Sequence, residues 1–281
     1  MRQFNDNVDH NGLTEEQFLN RYHPGDYPRP SVTVDMIIFT VTDVPGDNYR
    51  KLAEKQFQLL LIRRGGHPYL GQWALPGGFV RPNETVGEAA NRELEEETGV
   101  KEGYLEQLFT FSAPGRDPRT WVISCAHMAL VGSEQLTLKA GSDADDAKWF
   151  SVKCENEGDF IVLSLTNDET KLSAVIKREG ENTETSIYEN TGLAFDHAKM
   201  IEYAIRKLRS KFEYTDLAFN LMPEKFTLTE LQQVYETILD KPLFKAAFRR
   251  KMANLVSETN LYIEDKGHRP ARLYTKYKKE E

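Results

Sequence analysis

Residues 78–100 read Gly78-Phe79-Val80-Arg81-Pro82-Asn83-Glu84-Thr85-Val86-Gly87-Glu88-Ala89-Ala90-Asn91-Arg92-Glu93-Leu94-Glu95-Glu96-Glu97-Thr98-Gly99-Val100. Their spacing calls for a glycine turn, a capped helix and a carboxylate cluster, in that order. Thr85-Val86-Gly87-Glu88 is a capping box, in which threonine and glutamate each satisfy an amide at the helix start, so a helix begins at Val86. Val86, Ala89, Ala90 and Leu94 recur at helical spacing and form one apolar stripe for docking. Gly99 supplies the stop. Glu93, Glu96 and Glu97 lie three and four apart on this helix, which turns their carboxylates to one face. Three such groups repel one another unless a cation sits between them. Hard oxygen donors with room for water suit Mg2+ or Mn2+. Pro76-Gly77-Gly78 lets the backbone turn tightly just before, bringing the metal site against a substrate. A solvated acidic face is the plainer reading of a Glu-x-x-Glu-Glu run, but the glycines, the cap and Arg92 argue against it here.

Outward from this stretch, the pattern alternates between strands and helices. Residues 31–41 are rich in Val, Ile and Thr and read as a strand; 57–62 form a short apolar run bounded by charge and read as a buried one. Residues 105–112 and 119–131 give two more. The stretch 151–190 alternates strand-like runs (160–165, 172–177) with polar turns, a β-rich excursion. A helix is expected over 195–212, where Met200, Ile201, Ala204, Ile205 and Leu208 keep helical spacing. Before all of these, 1–30 hold a short helix near 14–22 and a Pro/Gly-rich connector. A new pattern starts after residue 212, so the expected domains are 1–212 and 213–281.

The 281 residues suffice for one large domain or two ordinary ones, with 40 % apolar and 28 % charged content, as a globular protein with a buried core requires. No apolar run is long enough to span a membrane and the amino terminus is polar, so the expected location is the cytoplasm. Cys125 and Cys154 stand in no metal or redox spacing and are expected as reduced thiols. His127 and His197 are isolated and read as structural, and Trp73 as a core residue. Net charge is −8, yet residues 241–279 carry eleven Lys/Arg against Glu258, Glu264 and Asp265. A basic patch on an acidic protein points to phosphate-backbone contact.

The basic tail has its own order. Thr227-Leu228-Thr229-Glu230 is a second capping box, and Leu231, Val234, Tyr235, Ile238 and Leu239 follow at helical spacing until Pro242 breaks the pattern. Residues 243–252 can form a second helix, with Phe244, Phe248 and Met252 expected toward the core and Lys245, Arg249, Arg250 and Lys251 on the remaining surface. Two strand-like runs, 261–263 and 271–274, flank a turn and make a hairpin, with Arg269 beside it. Helix, turn, basic helix and hairpin describe a winged helix-turn-helix. It serves either DNA binding or dimerisation with its basic residues solvated, and a steep salt dependence of DNA affinity separates the two.

Every position of G-x5-E-x7-R-E-U-x-E-E-x-G-U, with U a bulky aliphatic, is met by Gly78, Glu84, Arg92, Glu93, Leu94, Glu96, Glu97, Gly99 and Val100. The chain therefore resembles the Nudix hydrolases. The resemblance implies an α/β/α sandwich with a mixed sheet and a metal-assisted attack of water on a phosphorus of a diphosphate. Glu93, Glu96 and Glu97 are the implied metal ligands, with Glu84 and Arg92 supporting; Arg92 orients a metal-binding glutamate if the resemblance holds, and is a partner of Glu88 otherwise. Asp143, Asp145 and Asp146 lie where related enzymes often carry a loop acid, and each reads equally as a turn residue; Asp143 is the first choice for the general base. The segment Pro114-Gly115-Arg116-Asp117-Pro118-Arg119 resembles that of Nudix enzymes handling ADP-ribose. It implies substrate contact by Pro114, Arg116 and Arg119 beside Gly78, against the alternative of a surface turn. From Leu193 to Ala271 the chain also resembles the Nudix-related transcriptional regulators, the NrtR family, in which the Nudix domain senses a ligand and a dimer binds operator DNA. Many such regulators have degraded boxes, whereas this one is complete, and Pro242-Leu243-Phe244-Lys245-Ala246-Ala247 is less basic than the family's usual segment. The first expectation is therefore a Mg2+-dependent pyrophosphohydrolase acting on ADP-ribose or a related nucleoside diphosphate sugar. The alternative is an ADP-ribose- or sugar-responsive DNA-binding regulator, a homodimer, with weak or absent hydrolysis.

Overall fold

The strand β1 (Ser31–Val44) is buried on both faces, and the molecule is organised around it. Val34, Met36 and Ile38 point to one side and Ile37, Phe39 and Val41 to the other, as the two-residue period of a strand requires. In this computed structural model, which describes residues 7–44, 53–101, 103–135, 144–179, 184–263 and 270–277, β1 pairs antiparallel with β2 (Glu54–Arg64). Two short strands, β3 (Trp73–Ala74) and β4 (Gly77–Phe79), attach to β2 and β1 respectively. The helix α2 (Val86–Thr98) follows, after the amino-terminal α1 (Glu15–Arg21), which buries none of its residues. Beyond α2 come β5 (Tyr104–Phe111) and β6 (Val122–Leu130), the latter parallel to β1, so the sheet is mixed.

The 151–190 region is not an excursion from this sheet but its continuation. Strands β7 (Ala144–Glu157), β8 (Phe160–Thr166), β9 (Lys171–Glu179) and β10 (Glu184–Thr191) extend it in the order β10-β9-β8-β7-β2-β1-β6-β5. Packing decides this: Ile161, Leu163 and Leu165 on β8, with Leu172, Ala174 and Ile176 on β9, alternate into the same apolar cluster as Phe39 and Leu59. Each buried Ile or Leu among them contributes about 1.5–3 kcal/mol, which a separate small ribbon would forgo.

Two helical layers cover the sheet. The face of β1 carrying Val34, Met36 and Ile38 receives Ala89, Ala90 and Leu94 of α2. The opposite face receives α3 (His197–Phe212) and α4 (Leu228–Leu239). After the short 3-10 turn Leu217–Leu221 and α4 come α5 (Lys245–Met252) and the hairpin of β11 (Val256–Ile263) and β12 (Ala271–Lys276). Phe226, Val234, Tyr235, Ile238, Phe248 and Met252 join the apolar cluster that contains the sheet, so the carboxy-terminal helices share one core with it. Arg209 of α3 reinforces the junction, donating to the Ile238 carbonyl of α4 and the Cys154 carbonyl of β7. Among the described residues no helix is long and apolar enough to cross a membrane, and both cysteines are free.

Candidate functional site

The expected cap forms at α2: the Glu88 amide donates to the Thr85 hydroxyl at 3.2 Å and the Thr85 amide to the Glu88 carboxylate at 2.7 Å. Gly99 closes the helix with φ of 74°. The helix is pressed onto the glycine turn. A Cβ on Gly77 would stand 2.2 Å from the Val34 carbonyl oxygen, and one on Gly78 only 2.3 Å from a carboxylate oxygen of Glu93. Glycine is required at Gly77, where backbone meets backbone, whereas a side chain at Gly78 would force the Glu93 carboxylate to move.

Arg92 arranges the acids. Its guanidinium forks onto Glu84 through Nε at 3.1 Å and a terminal nitrogen at 2.9 Å, and its other terminal nitrogen donates to Glu93 at 2.6 Å and Glu96 at 3.3 Å. Glu88 is occupied by the cap, so Arg92 is not its i−4 partner. The hydrogen bonds from Arg92 and from the Arg81 amide hold the Glu84 carboxyl down at about 2. Burial raises the pKa of Glu93 against the pull of Arg92. Glu97 has no such counterweight: burial first, and then the charges of Glu93 and Glu96, push it up to about 7, and its Oε2 is buried without a hydrogen-bond partner.

The three glutamates lie in unlike surroundings. Glu93 and Glu97 are buried, whereas Glu96 is half exposed and turned toward Arg92 and Arg81. Among the described residues no three His, Cys, Asp or Glu side chains are gathered in a metal-holding group. Arg92 sits between Glu93 and Glu96 and takes part of the charge that helical spacing alone would leave uncompensated. The donor set nevertheless fits a hard divalent cation, since a buried carboxylate oxygen without a partner beside two further acids is a site of unbalanced negative charge.

The arginines of the 114–119 loop separate into two environments. Arg116 is buried and forks onto Asp196 at 2.8 and 3.1 Å, with Asp35 at 3.5 Å. Arg119 pairs with buried Asp117 at 2.7 Å, stays 42 % exposed, and lies 5.5 Å from the ring centre of Phe79, directly after the glycines. Pro114 is exposed. Asp35, next to the glycine turn through its pairing with Gly77, also accepts from Ser124 and faces His197 Nε2 at 3.6 Å. His197 Nδ1 accepts from the Leu75 amide at 2.9 Å, and burial lowers its pKa, so the ring is neutral with its proton toward Asp35. Asp143 lies outside the described residues, while Asp145 and Asp146 fall in the strand β7.

In the carboxy-terminal part, Lys245, Arg249 and Arg250 are exposed on α5, whose Phe248 and Met252 are buried. Lys251, also exposed, reaches back along the molecule: its amine donates to the Phe212 and Glu213 carbonyls at 3.3 and 2.9 Å, capping α3, and it lies 5.1 Å from the Tyr235 ring centre. Phe244, expected in the core, is 88 % exposed. It precedes the helix as N-cap with extended backbone, so the i, i+4 phase that buries Phe248 and Met252 does not reach it. Arg269 lies outside the described residues.

These features can be compared with known proteins. The NUDIX domain family matches residues 51–158, and the NrtR DNA-binding winged helix domain matches residues 218–275. A protein of Acinetobacter baylyi described as an ADPR responsive transcriptional repressor is 34 % identical over 268 residues, 94 % of this chain and 89 % of that one. The chain belongs to the NrtR family. The structure of Shewanella oneidensis NrtR complexed with a 27mer DNA superposes with a TM-score of 0.61 at 30 % identity, covering 88 % of this chain and 93 % of that one. An ADP-ribose pyrophosphatase of Methanocaldococcus jannaschii is 42 % identical over 127 residues, 45 % of this chain and 64 % of that protein. The fold is thus a Nudix domain with a mixed sheet followed by a winged helix.

In this NrtR-family chain the fold brings Gly78, Arg92, Glu93 and Glu97 together, and places Arg119 beside them through Phe79. Sequence reasoning missed Asp35, Asp196 and the part His197 plays. One signal was visible: Asp35 is the only acid among the apolar residues 32–41 of β1, and such a residue needs a buried partner.

Proposed function

We propose that this protein is a DNA-binding regulator whose Nudix domain recognises ADP-ribose, or a closely related nucleoside diphosphate sugar, and whose winged helix reports that binding to an operator. The observation that carries the reading is the helix α3. Its first residues, Asp196 and His197, are held by Arg116 and Asp35 beside the glycine turn. Its last carbonyls, at Phe212 and Glu213, are held by Lys251 of the basic helix. One rigid rod of sixteen residues, about 24 Å long, therefore has one end in the diphosphate site and the other on the DNA-facing element. The likeness to the Acinetobacter repressor over nearly the whole chain supports this reading, as does that to the Shewanella protein with DNA.

On this reading Arg119, exposed over Phe79, recognises the diphosphate or the terminal ribose, and Arg116 acts through Asp196 rather than on the ligand. Gly78 lets the ligand approach the acids. Glu93 and Glu97, with Glu96 swinging in from the surface, would hold Mg2+ or Mn2+. When bound, such an ion polarises phosphoryl oxygens and lowers the pKa of water. Arg92 keeps Glu93 aligned while Glu84 balances its charge. The DNA-binding surface is formed by Lys245, Arg249 and Arg250, and Arg269 is proposed to add to it; Lys251 is assigned a coupling role instead. A homodimer in the cytoplasm binding a two-fold symmetric operator completes the proposal.

The test is a titration of duplexes recovered from a randomised pool, at two salt concentrations, with and without ADP-ribose. Affinity should fall steeply with salt and change at least tenfold with ADP-ribose. Absence of binding at low salt rejects the regulator.

Hydrolysis is the second reading, favoured by the complete acid box and by the near-neutral pKa of Glu97. Incubation with ADP-ribose and Mg2+ should then release AMP, and Glu96→Gln should abolish the release while the fold survives.

A further inference from the structure

Among the described residues Phe244 is the most exposed of the large hydrophobics, at 88 %, and it sits at the entrance to the basic helix. Leaving a phenylalanine in water forgoes a large part of the stabilisation that burial would give, so its position calls for a partner. It is not a loose side chain on a mobile turn. The residue before it is clamped: the Leu243 amide donates to the Glu236 carboxylate at 2.8 Å, and the Leu243 carbonyl accepts from Gln232 at 2.9 Å. The residue after the first turn, Phe248, is locked edge-on against Tyr235 at 5.3 Å. Phe244 is thus presented on a fixed base, four residues ahead of the first buried position of α5.

Its neighbours define the surface it offers. Lys245, Ala246 and Ala247 are exposed in the first turn, and Arg249 and Arg250 flank them. Two alanines keep the helix slim enough for close approach, three cations suit a polyanion, and the apolar ring stands where the amino-terminal end of a second helix in a helix-turn-helix meets base edges. The single apolar feature of the major groove is the C5-methyl of thymine.

We infer that Phe244 is a specificity-determining residue that packs against thymine methyl groups in the major groove, with Ala246 and Ala247 beside it, while Lys245, Arg249 and Arg250 contact phosphates. The inference rests on the DNA-binding reading above. It explains why the start of this helix is apolar without loss of a DNA-binding role: affinity comes from the flanking cations and selectivity from the ring.

The experiment uses the full chain and the duplex it enriches from a randomised pool at low salt. Each thymine is replaced in turn by 2′-deoxyuridine, which removes only the methyl group. Wild-type affinity should drop about fourfold at one or two positions per half-site, the worth of a buried methyl. Phe244→Ala should bind the parent duplex more weakly, keep its salt dependence and its melting temperature, and show no further loss at those positions; Phe244→Leu should restore part of the loss. An equal deoxyuridine penalty in wild type and Phe244→Ala, or none in wild type, overturns the inference while leaving DNA binding intact. A change of oligomeric state in Phe244→Ala with unaltered DNA affinity assigns the ring to a second copy of the chain and also overturns it. If no duplex is enriched, both this inference and the reading beneath it fall.

Discussion

Glu97 places a buried carboxylate oxygen without a partner beside two other acids. Its folded pKa, about 7, lies above the unfolded value near 4.5, so the folded state favours the protonated form. The unfolded chain then holds fewer protons between these values, and stability falls as pH rises from about 4.5 to 7 and stays low above. Glu97→Gln removes the titration. It should raise the melting temperature at pH 8 by on the order of 5 °C, with the gain vanishing near pH 4. Mg2+ should raise the melting temperature of the wild type at pH 8 and leave the variant unmoved. A wild-type melting temperature that is flat between pH 4 and 8 sinks this account. Gly78→Ala makes the companion case. Its Cβ would displace the Glu93 carboxylate from 2.3 Å, so we expect a stability loss of about 1–3 kcal/mol and a weaker Mg2+ response in thermal melts. Unchanged binding of Mg2+ in that variant would show that Glu93 is free to move away at no cost. The sequence made the box legible at this scale, since each acid could be named from spacing alone. It did not show that Arg92 would pair with Glu93 and Glu96 and leave Glu97 without a counter-charge, because an ion pair depends on rotamers that spacing leaves open.

At the scale of elements, the capping boxes translate directly into structure. Thr85 begins α2 and Thr227 begins α4, each with the reciprocal glutamate three residues on. Thr227→Ala should cost about 1 kcal/mol and lower the melting temperature by roughly 2–4 °C. Calorimetry should find α4 and the sheet melting together, since Val234, Tyr235 and Ile238 belong to the same cluster as Leu59 and Phe150. Two separate transitions would contradict a shared core. Period alone placed β8 and β9 correctly as strands, yet not as members of the main sheet: the alternation of Ile161, Leu163 and Leu165 says that one face is buried, and is silent on what buries it. Phe244 shows the same limit, its fate turning on whether the helix starts before or after it.

Across the whole molecule, α3 ties the side of the glycine turn to the basic helix through Asp196 at one end and the carbonyls over Lys251 at the other. If that rod transmits ligand binding, Lys251→Met should leave ADP-ribose affinity at the Nudix site unchanged, measured by calorimetry. It should also reduce the ligand's effect on DNA affinity several-fold. Equal loss of both affinities would mean general unfolding of the junction, and an undiminished ligand effect would place the coupling elsewhere.

The order of residues by itself determined what is local. Capped helices, buried strands, the glycine turn and the acid box follow from contacts within a few positions along the chain, whose geometry the backbone fixes. Tertiary structure alone decided the rest. It joined Arg116 to Asp196 across 80 positions, set Asp35 against His197, made β7 to β10 part of one sheet, tied Lys251 to the end of α3 and left Phe244 outside. Each of these pairs or separates groups distant in sequence, and which of them meet is settled by how the apolar faces close on one another, a property no single segment carries.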